Sequence, residues 1–312
     1  MRAVGVTRFG GPEVLEIVDL PEEHAGPGQV RLRVHAATVN PTDTYVRNGD
    51  RADAQKADPP PYVPGMDAAG VIDEVGEGVN TGIAVGDRAM AIVVPRGVHG
   101  AYRESIVLAA ESVTRAPAGS SHAEASTLPM NGLTARQSLD LLALQPGQTL
   151  AVTGAAGAYG GYMVQLAKAD GLVVIADASE ADTDLVKRLG ADLVLPRGEQ
   201  FAAHVREHYP DGVDGLADGA VQNGQVIGAV RDGGAFTSVR GFKGDAQRNI
   251  SFTVTMVFSY RREHAKLDEL RRQTEDGLVT MRVAQTFPAD QAAEAHRALE
   301  AGGARGRQVI EF

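Results

Sequence analysis

A glycine-rich turn between an apolar strand and a helix contains the residues best suited to chemistry. Residues 149–168 read TLAVTGAAGAYGGYMVQLAK, which is G-x-G-x-x-G with alanine at the first position, Ala155. A small first residue permits a tight turn, the bare Gly157 lets a pyrophosphate approach the backbone, and Gly160 lets the helix pack near the strand. An ordinary glycine-rich turn is the alternative. The predicted cofactor-binding turn consists of Ala155, Ala156, Gly157, Ala158, Tyr159 and Gly160.

Two side chains downstream bear on which dinucleotide this turn would bind. Asp177 lies 22 residues beyond Ala155, close to the spacing at which an acidic residue accepts from the adenosine ribose of NAD(H). Arg197 follows the third predicted strand and could bind the 2′-phosphate of NADPH, or it is a solvated loop arginine. The residues alone leave NADH and NADPH open.

The elements that surround the turn alternate between strands and helices from about residue 126 to about residue 255. Apolar runs of 4 to 6 residues between helical segments are typical of a parallel sheet covered on both faces. Ser179 is a plausible capping residue for the third helix. Strands are predicted at Thr149–Thr153, Leu172–Ala176, Asp192–Leu195, Val213–Ala217 and Ala235–Val239, and helices at Gly132–Leu144, Gly157–Asp170, Ala181–Leu189, Glu199–His208 and Gly224–Arg231.

Residues 1 to about 120 are predicted to be rich in β-strands and to lack helices of any length, and Asp50–Pro61 is predicted to be an exposed loop. After Ser251 come a strand-like piece, two helices and a last strand, which cannot form a domain alone. We expect a discontinuous domain, 1–125 plus 256–312, into which a doubly wound domain, 126–255, is inserted. The strands predicted in these parts are Val14–Val18, Val30–Val39, Ala68–Val75, Arg88–Val94 and Gln308–Phe312, and the helices are Arg261–Glu275 and Ala289–Glu300.

Composition narrows the class of protein. Among 312 residues, 30 are basic and 40 acidic, so the net charge of -10 disfavours a nucleic-acid partner. No apolar stretch approaches the roughly 20 residues that span a bilayer, and the N-terminus lacks a signal-peptide pattern, which predicts a cytoplasmic chain without a membrane partner. The absence of cysteine excludes disulfides and cysteine-ligated zinc. His35, His99 and His122 are too dispersed to suggest another metal site.

Segments along nearly the whole chain resemble the medium-chain dehydrogenase/reductase superfamily, in its zinc-free quinone oxidoreductase branch. The resemblance implies an α/β fold in which a Rossmann domain, a doubly wound parallel sheet, is inserted into a GroES-like β-rich domain. It also implies a cofactor between the two domains and commonly a homodimer. The matching segments are FGGPEVL at 9–15, VNPTDTY at 39–45, YVPGMDAAG at 62–70, GDR at 86–88, GLTA at 132–135, the glycine-rich turn and LGAD at 189–192.

The resemblance also implies roles for single residues. Zinc-dependent relatives place a cysteine near the position of Asn40, so no zinc is expected here. Asn40 and Thr134 are expected near the nicotinamide, and the Tyr45 phenol could donate to a carbonyl oxygen of the substrate. Alternatively, Asn40 braces its loop and Tyr45 lies at a domain edge. Asp43 is expected to hold local structure rather than to titrate in the reaction. The predicted catalytic residues are Tyr45 and Asn40, and the predicted cofactor-binding residues are Asn40, Thr134, the glycine-rich turn, Asp177, Ser179, Arg197 and Val239.

The implied activity is a zinc-independent, NAD(P)H-dependent transfer of hydride to a quinone or to an α,β-unsaturated carbonyl compound (an enone). NADPH is expected by family habit, with NADH as the alternative. Many NADPH-using relatives carry a basic residue where this chain has residues 179–181 (SEA), and Arg197 could compensate. A second hypothesis is a non-catalytic dinucleotide-binding redox sensor or interaction protein of the same fold. A third is a zinc alcohol dehydrogenase with unconventional ligands.

Overall fold

The computed structural model describes residues 1–50, 52–55 and 58–312. In this part of the chain no helix is both long and apolar enough to cross a membrane. The helices are α1 (Pro41–Asn48), α2 (Ala52–Gln55), α3 (His122–Ser126), α4 (Pro129–Leu142), α5 (Ala158–Ala169), α6 (Thr183–Arg188), α7 (Phe201–His208), α8 (His264–Glu275) and α9 (Ala292–Ala301). The strands are β1 (Arg2–Gly5), β2 (Glu16–Asp19), β3 (Gln29–Thr38), β4 (Asp67–Val75), β5 (Arg88–Ile92), β6 (Ser105–Ala109), β7 (Val113–Arg115), β8 (Thr149–Thr153), β9 (Val173–Ala178), β10 (Leu193–Pro196), β11 (Val213–Asp218), β12 (Val230–Ser238), β13 (Ser251–Val254), β14 (Val283–Pro288) and β15 (Arg307–Glu311).

The chain divides into two compact units. The first unit comprises Met1–Met130, Arg261–Asp276 and Met281–Phe312, and the second comprises Asn131–Tyr260 and Gly277–Thr280. The junctions after Met130 and after Tyr260 lie a few residues beyond the positions 126 and 255 expected from the sequence, and Gly277–Thr280, expected in the discontinuous domain, belongs to the second unit. Each unit therefore has its own sheet and its own core.

The sheet of the first unit is mostly antiparallel. Its strands follow the order β14-β15-β3-β4-β5-β7, β6 pairs with β3, and β1 and β2 form a separate ribbon. Among the strand pairs described for this sheet, only β14 with β15 is parallel. The apolar residues of alternate positions, such as Leu32, Ile72 and Ile106, form the core on one side. This architecture confirms the GroES-like β-rich part of the predicted fold.

The second unit is a parallel six-stranded sheet. Its order is β10-β9-β8-β11-β12-β13, and all its neighbours pair in parallel. This is the doubly wound order 3-2-1-4-5-6, in which the strand order reverses beside the first strand, β8. The glycine-rich turn follows β8 directly, so it lies at the carboxyl edge next to that reversal. The Rossmann part of the predicted α/β fold is thereby confirmed.

The prediction that residues 1–120 lack helices is wrong. The helix α1 spans Pro41–Asn48, with Asn40 as its N-cap and Gly49 in the left-handed conformation (φ 89°) as its C-cap. The Asp43 carboxylate accepts the backbone N–H of Asn40 at 2.8 Å, and Pro41 occupies the first turn. Eight residues are too few for a clear amphipathic period, so capping residues mark this helix where hydrophobic spacing does not.

Several other predicted elements have different boundaries. Gly224–Arg231 was predicted to be a helix, but Asn223–Ala229 forms a 3₁₀ helix and β12 begins at Val230. A similar 3₁₀ segment, Pro12–Val14, replaces the start of the strand predicted at Val14–Val18. Glycine at positions 224 and 228 weakens an α-helix there. The predicted loop at 50–61 includes α2, and its residues 51, 56 and 57 lie outside the described residues.

Candidate functional site

The two glycines of the glycine-rich turn, Gly157 and Gly160, have different surroundings. Gly157 is the N-cap of α5, and a Cβ added there would meet only the carbonyl oxygen of Gly154, at 3.1 Å. A Cβ added at Gly160 would lie 2.2 Å from that same oxygen. Gly160 therefore allows α5 to pack against the end of β8, whereas a side chain at Gly157 would make one tight contact, with the Gly154 carbonyl oxygen. The first N–H groups of α5 are directed out of this end, where they suit an anion.

Tyr159 belongs to the predicted turn, but its side chain points into the unit. The ring is 9% exposed, and its hydroxyl donates to Ser138 Oγ at 2.8 Å. Ser138 Oγ lies 2.7 Å from Thr255 Oγ1. Burial raises the pKa of the Tyr159 phenol. Only the backbone of Tyr159 is thus suited to contact a dinucleotide, while its side chain joins α5 to α4.

Asp177 braces the turn from the neighbouring strand. Its carboxylate, 3% exposed, accepts the backbone N–H of Ala155 at 3.0 Å. Burial raises the pKa of this carboxyl, and the N–H donors of Ala155 and Gly154 act in the opposite direction. Asp177 therefore fixes the shape of the turn, a role that the spacing of the sequence did not suggest.

The ends of β9 and β10 bring Asp177, Ser179 and Arg197 together. The Arg197 backbone N–H donates to the carbonyl of Ala178 at 3.0 Å, and the Arg197 side chain is exposed. Ser179 precedes the 3₁₀ segment Glu180–Asp182, but its hydroxyl donates to Asp182 Oδ2 at 2.5 Å and caps no backbone N–H. The predicted capping by the Ser179 side chain is wrong, because the nearby carboxylate is the stronger acceptor.

The segment that follows β11 was not identified from the sequence. Asp218 at the end of β11 is fully buried and accepts from Thr153 Oγ1 at 2.6 Å and from the backbone N–H of Asn223 at 2.6 Å. These bonds hold Val221 at φ 59°, which a β-branched residue rarely adopts. A Cβ on Gly154 would lie 3.1 Å from the Gly219 carbonyl carbon, so this segment adjoins the glycine-rich turn. The sequence did contain one signal for this segment, the acidic Asp218 at the end of a predicted parallel strand.

Two further predicted cofactor residues also lie in the second unit. Thr134 is half-buried on α4, and its carbonyl accepts from Ser138 Oγ at 2.9 Å. Val239 is half-buried and directly follows β12. Val239 therefore lies at the carboxyl edge of the sheet, as the glycine-rich turn does. Hydrogen bonds of Ser138 connect the helix that carries Thr134 to Tyr159.

Asn40 lies in the first unit, in a buried polar cluster. Its side-chain amide donates to Asp67 Oδ2 at 2.6 Å, and its backbone N–H donates to Asp43 Oδ2. Asn40, Asp43 and Asp67 are all fully buried. Burial raises the pKa of Asp43 and of Asp67 to about 7. The bracing role that the sequence left as an alternative for Asn40 is present. Tyr45, half-buried on α1, begins the next turn of that helix.

Among the residues that the structure describes, no group of three His, Asp or Glu side chains could hold a metal ion. His35 and His122, far apart in the sequence, stack with ring centroids 4.7 Å apart. Parallel stacked rings do not direct two nitrogen lone pairs at one ion. The Asn40 amide nitrogen that donates to Asp67 has no lone pair for zinc.

Comparison with known proteins identifies the family. An alcohol dehydrogenase GroES-like domain matches residues 26–118, and a zinc-binding dehydrogenase domain matches residues 189–310. A quinone oxidoreductase of Rattus norvegicus is 30% identical over 99% of this chain and 97% of its own. A 2-methylene-furan-3-one reductase of Solanum lycopersicum is 29% identical over 99% of this chain and 79% of its own.

Solved structures show the same similarity. A mycobacterial protein in complex with NADPH superposes with a TM-score of 0.84 at 27% identity, and the alignment covers 100% of both chains. The relatives match both the β-rich unit and the parallel-sheet unit along nearly the whole chain. The chain therefore belongs to the medium-chain dehydrogenase/reductase superfamily, among the quinone oxidoreductases, and is an oxidoreductase of that family.

Proposed function

We propose that this protein is a zinc-independent, NADPH-dependent oxidoreductase that reduces a quinone or an enone. The observation that carries the proposal is the glycine-rich turn, in which Gly157 caps the N-terminus of α5 without a side chain while Gly160 packs the helix against β8. NADPH, when bound, supplies a hydride from its nicotinamide to the acceptor. Similarity to a quinone oxidoreductase and to a furanone reductase supports both classes of acceptor.

The residues of the chain are proposed to bind and orient the reactants. The N-terminus of α5 binds the pyrophosphate through backbone N–H groups, and Asp177 keeps the turn in shape for it. Thr134 and Val239 line the nicotinamide end. Tyr45 donates a hydrogen bond to the carbonyl oxygen of the acceptor, on which negative charge develops as hydride arrives. Most of the rate acceleration then comes from holding the acceptor against the nicotinamide.

The preference for NADPH is assigned to Arg197. Its guanidinium is exposed beside the ends of β9 and β10, near Ser179, where the adenosine ribose of a bound dinucleotide belongs in this fold. The Asp177 carboxylate accepts the backbone N–H of Ala155, so it is engaged with the turn, and the charge of Arg197 acts on it from the end of β10. The mycobacterial structural relative was solved with NADPH.

The proposal excludes zinc on the chemistry of the donor set. The chain has no cysteine, and the side-chain amide of Asn40 is engaged with Asp67. Elemental analysis of the purified protein should find less than about 0.1 zinc per chain, as expected when only isolated ligands are present. Stoichiometric zinc would contradict this part of the proposal. The homodimer and the cytoplasmic location stay predictions, which sedimentation and cell fractionation can test.

The test is a pair of fluorescence titrations, with NADPH and with NADH, followed by turnover with 1,4-benzoquinone and with an enone. We expect tighter binding of NADPH and oxidation of NADPH by at least one acceptor. Arg197→Ala should weaken NADPH by about tenfold and leave NADH nearly unchanged, because it removes one charge-assisted contact to the phosphate. Lys187→Ala, on the helix after β9, is the matched control and should change neither affinity.

Three other outcomes contradict parts of the proposal. Equal effects of Arg197→Ala on the two dinucleotides would remove Arg197 as the phosphate ligand. A preference for NADH would make Asp177 the selector. Tight binding of NADPH with no turnover on any acceptor would favour the alternative of a non-catalytic redox sensor.

A further inference from the structure

A run of buried polar side chains connects the C-terminal helix α9 to α1. Glu300 Oε1 lies 2.5 Å from Arg47 Nη2, and Arg47 Nη1 lies 3.3 Å from His296 Nδ1. His296 Nε2 lies 3.2 Å from the Tyr102 hydroxyl, which lies 3.1 Å from Asp43 Oδ2. Of these five residues only Glu300 reaches the surface; Arg47 is 4% exposed, and the other three are fully buried.

Each hydrogen bond in this run has a defined direction. A guanidinium can only donate, so His296 Nδ1 accepts from Arg47. Burial, together with the charge of Arg47, lowers the pKa of His296 to about 3, so the ring is neutral and its one proton is on Nε2. Nε2–H then donates to the oxygen of Tyr102, and the Tyr102 hydroxyl donates to Asp43. The run therefore delivers one oriented donor to the Asp43 carboxylate.

The Asp43 carboxylate in turn holds the residues proposed for the reaction. Its Oδ2 accepts the backbone N–H of Asn40 at 2.8 Å, and its Oδ1 accepts the backbone N–H of Gly65 at 3.2 Å. Asn40 begins α1, which carries Tyr45. A change in the Asp43 carboxylate would consequently loosen the start of α1 and the loop before β4.

We propose that Tyr102 and His296 are positioning residues, which orient the Asp43 carboxylate and through it Asn40 and the Tyr45-bearing helix. The proposal rests on the proposed function, because Asn40 and Tyr45 matter to catalysis only if hydride transfer occurs beside them. Neither Tyr102 nor His296 is expected to touch a substrate, since both are fully buried among residues of the first unit. Their contribution is to turnover more than to dinucleotide binding.

The hydrogen-bonded run from Glu300 to Asp43, called the relay below, responds to pH through the charges around Asp43. Burial raises the pKa of Asp43 to about 7, and the donors Asn40, Tyr102 and Gly65 lower it, as does the charge of Arg307 on β15. Asp67 on β4 is a second buried carboxylate whose pKa the charge of Asp43 raises. Loss of the Tyr102 hydroxyl removes a donor to the charged form, so the pKa of Asp43 should rise. A protonated Asp43 can no longer accept every bond that it makes as a carboxylate.

The experiment compares wild type, Tyr102→Phe and Tyr209→Phe by the pH dependence of kcat with NADPH and 1,4-benzoquinone. Tyr209 is a half-buried tyrosine of the second unit, outside the relay, and serves as the matched control. We expect Tyr102→Phe to lower kcat about tenfold at pH 7 and to move the acid limb of the profile upward by about one pH unit. The Kd of NADPH should stay within about twofold, and Tyr209→Phe should match wild type.

His296 supplies a second, independent set of variants. His296→Gln retains one acceptor for Arg47 and one donor for Tyr102, so it should keep most of the activity and the wild-type acid limb. His296→Leu removes both and should behave as Tyr102→Phe does. Superimposable pH profiles for wild type and Tyr102→Phe would overturn the proposal, as would equal losses in the glutamine and leucine variants.

A readout independent of turnover separates this proposal from the proposed function. The titration of the Asp43 carboxyl carbon can be followed by NMR in wild type and in Tyr102→Phe. A higher apparent pKa in the variant supports the relay even if no acceptor is ever reduced, and an unchanged titration overturns it. Absence of turnover in the wild type, by contrast, would contradict the proposed function alone.

Discussion

At the scale of single residues, the proposed binding of a dinucleotide depends on which positions of the turn are glycine. Gly157 and Gly160 occupy one motif, and a Cβ added at either would meet the Gly154 carbonyl oxygen, at 3.1 Å for Gly157 and at 2.2 Å for Gly160. Asp177 and Tyr159 also follow the motif's spacing, but their side chains support the turn from within the unit. A residue can therefore match a cofactor-binding pattern because it shapes the site, without contacting the cofactor through its side chain.

Substitution of Gly157 tests the assignment of the turn. Gly157→Val should fold after a small shift of the Gly154 carbonyl oxygen, which would lie 3.1 Å from the added Cβ. The variant should bind NADPH at least about tenfold more weakly, because the side chain fills the place proposed for the pyrophosphate. Gly224→Val is the matched control, since a Cβ there has no neighbour within 4 Å among the described atoms. Fluorescence titration of both variants decides it, and an unaltered affinity in Gly157→Val would refute the assignment of the turn.

At the scale of elements, close packing of α5 on β8 and the short helix α1 are the features that hold the two groups of candidate residues. The carbonyl oxygen of Gly154 lies 2.2 Å from the place of a Cβ on Gly160, so the helix has no room to accept a side chain. Capping by Asp43 and Gly49 fixes α1 in a similar way, by satisfying the ends of a helix that is short.

Packing of α5 predicts a loss of stability in Gly160→Ala. The methyl group would force α5 away from β8, at a cost of about 2 kcal/mol in the free energy of unfolding. Urea denaturation measures this, and Gly224→Ala, in open space, should change the free energy by less than about 0.5 kcal/mol. Equal stability of the two variants would show that the helix moves without strain.

At the scale of the whole molecule, buried carboxylates tie stability to pH. Burial raises the pKa of Asp67 from an ordinary 3.8 to about 7. Between pH 3.8 and pH 7 the folded protein keeps a proton on Asp67 that the unfolded chain has released. The contribution of Asp67 to the free energy of unfolding is therefore fully present below about pH 4 and is lost as the pH rises to 7. Asp214 is the opposite case, because burial there is outweighed by hydrogen bonds from Thr149 and Arg231, which lower the pKa of its carboxyl.

The pH dependence should therefore differ between two Asp→Asn variants. Relative to wild type, Asp67→Asn should gain about 2 kcal/mol in the free energy of unfolding between pH 5 and pH 7.5, because the amide cannot ionise. The Asp214 carboxyl of the wild type titrates below this range, so the free energy of unfolding of Asp214→Asn should differ from that of wild type by the same amount at both pH values. Urea denaturation at the two pH values measures both, and a constant difference for Asp67→Asn would show that Asp67 is ionised throughout.

The sequence by itself determined the features that depend on neighbouring residues. Strand β8, helix α5 and the turn between them lie within one or two residues of their predicted limits, because apolar period, small residues and capping are local properties. The alternation of strands and helices fixed the parallel sheet, and motifs spread along the chain indicated the superfamily. Short elements such as α1 and the 3₁₀ segment at Asn223–Ala229 have too little periodicity for the same reasoning to succeed.

Only the tertiary structure decided which distant side chains meet. Arg47 contacts Glu300 across 253 positions, and Tyr102 contacts His296 across 194. No local pattern encodes such pairs, because they arise where segments distant in sequence meet within the first unit. The stack of His35 on His122 and the bond from Asp177 to the turn have the same origin. Local sequence thus specified the pieces, while burial of polar groups, each of which requires a partner, specified the site's supporting network.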